Sequence, residues 1–197
     1  MEYGFWKKLI VLIFFIFSVG ASASYQKKEL PIVLIEYFDF SCPLSTKGAN
    51  AIFSLKESFS RKIKVVRKSL TFSDDKFSTL AGKYFHVLNA QSKELGKRFY
   101  ESVVKDFLNQ YKDEHYLQTI AKKLGTDMEK LKKDLASPKL GLLLKKNQDE
   151  AKRHGIFVSP SYLINGAPLA GKQNKEDFVV FINKTYVFLL KIHINSK

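Results

Sequence analysis

Cys42 is the only cysteine in the 197-residue chain, and Pro43 follows it directly. Pro43 suits the first position of a helix, which puts Cys42 at the cap. There the free N–H groups of Leu44 and Ser45, together with the helix dipole, favour a thiolate, the form that attacks disulfides. Three positions on, one helical turn away, a second cysteine would close a redox pair, but the chain has Ser45. A serine can donate its hydroxyl to a thiolate, but it can neither form nor break an S–S bond. Attack by Cys42 on a disulfide therefore gives a mixed disulfide that an outside thiol must resolve. A second thiol of the substrate makes that isomerisation, and a small free thiol makes it reduction. The competing reading of a lone cysteine is an inert packing residue.

The N-terminal residues bear on which of these applies. Lys7 and Lys8 precede an apolar run from Leu9 to Val19, and Ala21-Ser22-Ala23 follows. Residues 1–23 read as a signal peptide cleaved near Ala23, with an uncleaved anchor as the alternative. Export, to a bacterial periplasm or beyond, places Cys42 in an oxidising compartment without an intrachain partner. The formal charge is +14, and removing Glu2, Lys7 and Lys8 leaves +13. The lysines are scattered and no nucleic-acid motif is present, so nucleic acid is not an expected partner. Weak association with anionic surfaces is compatible with this charge. His86, His115, His154 and His193 are dispersed without ligand spacing, so neither a metal nor another cofactor is expected.

The elements around Cys42 follow from hydrophobic periodicity. Residues 31–40, PIVLIEYFDF, are apolar at both parities, as in a strand covered on both faces of a central parallel sheet. Residues 43–59 carry a helical stripe of Ala49, Ile52, Phe53, Leu55 and Phe59, and residues 61–72 read as a second strand. Residues 73–154 read as helical throughout. Start signals fall at Ser73-Asp74, Asp113, Thr126 and Ser137-Pro138, and one helix spans Lys97 to Leu108. Gly155 ends the last of these helices. Pro160 to Ile164 and Ala167 to Gly171 form a hairpin around Asn165-Gly166, and Asn174 caps a final helix. The class is α/β, in the order β-α-β, helical block, β-hairpin, α.

Four features together resemble the DsbA-like thiol:disulfide oxidoreductases, over about residues 31–188. They are EYFDF running into Cys42-Pro43, the helical block, Ser159-Pro160-Ser161-Tyr162-Leu163-Ile164-Asn165-Gly166 in place of T-P-T-F-x-I-N-G, and Gly171. The resemblance implies a thioredoxin-like domain from residues 24–72 and 155–190, interrupted by a helical domain at 73–154. It implies a cis Pro160 beside Cys42, with backbone at Ser159 able to pair with an extended substrate. It also implies that Glu36 is a buried acid beneath the cysteine, able to relay protons, with Arg67 or Lys68 as its partner. The family's second cysteine is here Ser45. The expected site is therefore Cys42, Pro43, Ser45 and Pro160, supported by Glu36, Leu44 and Ser159. The expected partners are exported cysteine-containing proteins or a small thiol such as glutathione. A peptide-binding or chaperone-like protein without redox chemistry is the alternative on the same scaffold.

Overall fold

The computed structural model describes residues 31–58, 63–70, 75–106 and 112–195. The apolar run after Pro31 forms β1 (Ile32–Phe38), and the helix that opens at Pro43 is α1 (Pro43–Ser58). The chain returns as β2 (Ile63–Ser69), parallel to β1 with Glu36 opposite Arg67. The hairpin strands are β3 (Ser161–Ile164) and β4 (Ala167–Ala170), and the sheet order is β2-β1-β3-β4. β3 runs antiparallel to β1, with Tyr162 opposite Glu36, so the sheet is mixed and not the parallel one expected. β1 is nonetheless central, which explains why both of its faces are apolar. Pro168, which has no N–H to give, sits on the outer strand β4.

Two elements cover one face of the sheet. Leu34, Tyr162 and Ile164 pack there with Ile52 and Leu55 of α1 and with Phe178 and Ile182 of α7 (Lys175–Asn195). On the other face Ile35, Tyr37 and Leu163 meet Ala151 of α6 (Pro138–Arg153) and Ile156. The hairpin turn places both Asn165 (φ 49°) and Gly166 (φ 87°) in the left-handed region, as a two-residue type I′ turn requires. Asn165 also ties the turn to β1: its Oδ1 accepts from Val33 N at 2.8 Å, and its N–H donates to Val33 O.

Among the described residues, four further helices stand between β2 and α6: α2 (Lys76–Gln91), α3 (Lys93–Lys105), α4 (Glu114–Lys123) and α5 (Met128–Leu135). Phe38, Phe40 and Ala49 share one core with Phe85 of α2 and Phe99 and Tyr100 of α3. The rings meet edge to face, with Phe38 4.8 Å from Tyr100 and 5.4 Å from Phe85 between centroids. The end of β1 and the start of α1, which bracket Cys42, are thus anchored in the helical block.

The cap signals hold at Asp113, Ser137 and Asn174, and Asn174 exchanges reciprocal side-chain bonds with Asp177. Two starts are corrected. α3 begins earlier than Lys97, capped by Ser92. Asp127, not Thr126, caps α5, and Thr126 Oγ1 is buried without a hydrogen-bond partner among the described residues. The expected cap at Ser73-Asp74 lies outside the described residues, and the next residue, Asp75, accepts from Ser78 N. The strand at 61–72 keeps Ile63–Ser69 and stops before Leu70; residues 61–62 and 71–72 lie outside the described residues, as do residues 1–23. Among the described residues no helix is long and apolar enough to cross a membrane.

Candidate active site

β1 ends at Phe38, and the chain turns through Asp39 to Ser41 into α1. Asp39 holds that turn: its Oδ1 accepts from Ser41 N at 2.9 Å, and its C=O accepts from Cys42 N at 3.1 Å. The hydroxyl of Ser78, at the start of α2, donates to the same carboxylate oxygen. Asp39 and Ser78 are both buried, and neither was singled out from sequence. An Asp two residues before a turn position is the signal that could have marked Asp39; nothing local marks Ser78.

Cys42 precedes the first residue of α1 and is half-buried, with Pro43 and Leu44 exposed beside it. Its Sγ donates to Ser159 O at 3.3 Å, and its carbonyl accepts from Ser45 N at 3.0 Å. The expected gift of the Ser45 hydroxyl to sulfur is corrected by the geometry. Ser45 is buried, and its Oγ meets Ser159 Oγ at 2.7 Å and accepts from Asp39 N at 3.2 Å. A hydroxyl held by two partners inside the turn is positioned as a strut between α1 and the loop before β3. The Ser159–Pro160 peptide is cis, and Pro160 is buried with its carbonyl accepting from Gly171 N at 2.8 Å. The structure thus brings Cys42, Pro43, Ser45, Ser159 and Pro160 together around one sulfur.

Glu36 is fully buried. Of its two candidate partners the structure selects Arg67, its cross-strand neighbour, with Nε 2.9 Å from Oε2. Lys68 points to the other face and pairs with Glu150. Tyr100 donates its hydroxyl to Glu36 Oε1 at 2.9 Å. Burial raises the Glu36 carboxyl above the usual range, against the opposing pull of Arg67 and Tyr100. Tyr162, opposite Glu36 on β3, has a buried hydroxyl without a hydrogen-bond partner among the described residues. Burial first, then the charges of Glu36 and Cys42, push that phenol up. Gly48 is the residue that makes room for it, since a Cβ there would collide with Tyr162 Oη and touch Pro160 Cγ. A glycine inside a helix was the available sequence signal for this close approach.

Among the described residues no cluster of His, Cys, Asp and Glu could hold a metal ion. His86 is buried instead between Ser69 N and the Asn147 side chain, each 3.3 Å from Nε2. The reactive inventory is one partly open thiol at a helix start, a hydroxyl pair behind it, and a buried acid paired with Arg67.

A family model described as Thioredoxin matches residues 22–184. The chain is 27% identical over 157 residues to the probable disulfide bond formation protein D of Bacillus anthracis, covering 76% of this chain and 72% of that one. It is 22% identical to the thiol:disulfide interchange protein DsbA of Buchnera aphidicola, covering 97% of this chain and 100% of the relative. Among solved structures, a thioredoxin-like oxidoreductase from Silicibacter pomeroyi superposes with a TM-score of 0.70 at 18% identity, covering 80% and 87% of the two chains. With the mixed sheet, the helical block and the cis proline already in place, these matches agree on one conclusion: the chain belongs to the thioredoxin family, and within it is similar to DsbA-like thiol-disulfide exchange proteins.

Proposed function

We propose that this protein is an exported monothiol that carries out thiol-disulfide exchange through Cys42. The Cys42 thiolate attacks one sulfur of a substrate disulfide, forms a mixed disulfide and releases the other sulfur as a thiolate. A second thiolate then attacks the substrate sulfur of that bond and returns Cys42 as the leaving thiolate. If that thiolate belongs to the same substrate, its disulfides are rearranged with no net redox change. If it comes from a small thiol such as glutathione, the substrate leaves as a mixed disulfide with that thiol, and a second molecule of the small thiol completes the reduction by leaving as the small disulfide. The observation that carries the reading is the half-buried sulfur at the start of α1, backed by a hydroxyl at position 45 that cannot resolve the adduct. The names of the relatives support the reaction class. Pro43, Leu44, Ser159 and Pro160 shape the approach to the sulfur, and Glu36 is the proton-relay candidate. The reading includes cleavage near Ala23 and the division into a thioredoxin-like domain (24–72 and 155–190) and a helical domain (73–154).

One observation favours peptide binding as a second reading. Leu44, Phe157 and Val158 are exposed apolar residues within two positions of Cys42 or Ser159, a surface suited to an unfolded segment. Refolding of a scrambled disulfide protein, compared for the native chain and Cys42→Ala, separates the two. Exchange predicts that Cys42→Ala abolishes the rearrangement. A variant that still suppresses aggregation and rearranges disulfides as fast as the native chain contradicts the monothiol reading.

A further inference from the structure

We propose that Asp39 is the positioning residue of the thiol site: its buried carboxylate, fastened to Ser78 of α2, sets where the Cys42 sulfur stands for attack on a disulfide. The inference rests on the exchange reading above and names the group that makes that exchange productive.

Asp39 bonds to the reactive turn through its backbone and its side chain. Its C=O accepts from Cys42 N at 3.1 Å, its N–H donates to Ser45 Oγ at 3.2 Å, and its Oδ1 accepts from Ser41 N at 2.9 Å. The two backbone bonds belong to a closed ring. Ser45 Oγ meets Ser159 Oγ at 2.7 Å, and Ser159 O accepts from Cys42 Sγ at 3.3 Å. Cys42 is thus held by two arms that both start at Asp39, one on its own N–H and one through the loop before β3.

An ordinary Asx turn needs only the bond from Ser41 N. The Ser78 hydroxyl on the same oxygen is the independent observation, because it comes from another element and adds nothing to the closure of the turn. Ser78 is 2% exposed, and its own N–H is fixed on Asp75 Oδ1, the cap of α2, at 2.7 Å. A buried carboxylate needs its donors, and a donor fixed at a helix start cannot follow it if the turn moves. Phe38 and Phe40 flank Asp39, with their rings 4.9 Å apart, edge to face, in the helical core. Ser41 and Cys42, the next two residues, are half-buried and are tied back to Asp39 instead.

The step that needs this placement is the first one of the exchange. The Cys42 thiolate bonds to one substrate sulfur as the other leaves as a thiolate, with no net redox change. The attacking sulfur must lie in line with the S–S bond, and a protein disulfide can approach only as the surface beside Leu44, Phe157 and Val158 allows. A misplacement of about 1 Å can slow such a step about a hundredfold. A small alkylating reagent reaches the sulfur from any open side and tolerates the same shift. Loss of Asp39 therefore slows exchange more than alkylation.

The test compares the full native chain with Asp39→Ala, Asp39→Asn and Ser78→Ala, under conditions where unfolding curves show the chains folded. Two rates are read at one pH: adduct formation between Cys42 and a protein bearing a strained disulfide, and alkylation of Cys42 by iodoacetamide. Asp39→Ala is expected to slow adduct formation about tenfold while alkylation changes by less than about threefold. Asp39→Asn keeps an oxygen for Ser41 N and Ser78 Oγ and should return adduct formation to within about threefold of native. Ser78→Ala, which also serves if Asp39→Ala does not fold, should slow adduct formation about threefold with alkylation unchanged. Adduct formation at the native rate by folded Asp39→Ala or Ser78→Ala overturns the proposal. An equal fall in both rates overturns it too, since Asp39 would then tune the thiol and not its position, and so does an Asn chain as slow as the Ala chain. A native chain that alkylates but forms no adduct refutes the exchange reading itself, an outcome distinct from any difference among the variants.

Discussion

At the scale of single residues, the proposed chemistry turns on position 45. Ser45 occupies the place from which a resolving thiol would attack, and its Oγ is fixed between Asp39 N and Ser159 Oγ. Ser45→Cys should therefore restore a dithiol. We expect the mixed disulfide at Cys42 to release its substrate at least tenfold faster without added thiol, at a stability loss of about 1 kcal/mol for the disturbed hydroxyl bonds. Stopped-flow release of a labelled peptide adduct reads the rate, and an unchanged rate would refute the positional argument. Glu36 poses a different question. Removing it alone, as Glu36→Leu, strands the buried Arg67 charge and should cost about 3–5 kcal/mol. The double change Glu36→Leu, Arg67→Met should cost less than the larger single change, because no unpaired charge remains. Denaturant unfolding of the four chains checks this, and additive losses would contradict it. Cys42, Pro43, Pro160 and Glu36 were legible in sequence through residue type and motif. The Asp39–Ser78 contact was not, because it joins residues 39 positions apart whose types are ordinary for turns and helix starts.

At the scale of elements, α2 is tied to the sheet through His86. Ser69 N and the Asn147 amide both direct N–H groups at Nε2, so the neutral ring is the form that fits. Burial pushes the imidazole down from 6.5 to about 4. Between those values the unfolded chain binds the proton and the folded chain does not, so stability rises with pH across the window. The contribution is fully present above pH 6.5 and is lost as pH falls toward 4. Its size is roughly 3 kcal/mol by the conversion of 1.36 kcal/mol per unit. His86→Gln keeps an acceptor but cannot titrate. Relative to it, the native chain should lose about 2–3 kcal/mol more stability between pH 7 and pH 4 in urea titrations. Parallel curves for the two chains would contradict this assignment. Element order and most helix starts were readable because Pro138, Asp113, Asn174 and the Asn165-Gly166 turn act locally. The Thr126 start was misread because Thr and Asp stand side by side there, and sequence does not say which one takes the extended cap geometry. The mixed strand direction was also hidden, since an apolar run at both parities reports burial and not polarity.

At the scale of the whole molecule, the helical block and the sheet meet on the two sides of the thiol. Phe38 and Phe40 enter the helical core just before Cys42, and Ala49 enters it just after. The reactive turn is thus clamped by packing, while Leu44, Phe157 and Val158 remain open around it. On the proposed reading, a chain with one cysteine joins a substrate and has no internal thiol to let it go. The direct test is to mix the full native chain with a protein bearing a strained disulfide and follow the adduct by non-reducing electrophoresis and mass spectrometry. The account predicts a one-to-one adduct through Cys42 that persists alone and clears when a small thiol is added. No adduct while the chain stays folded, or an adduct that clears equally fast without thiol, would contradict it.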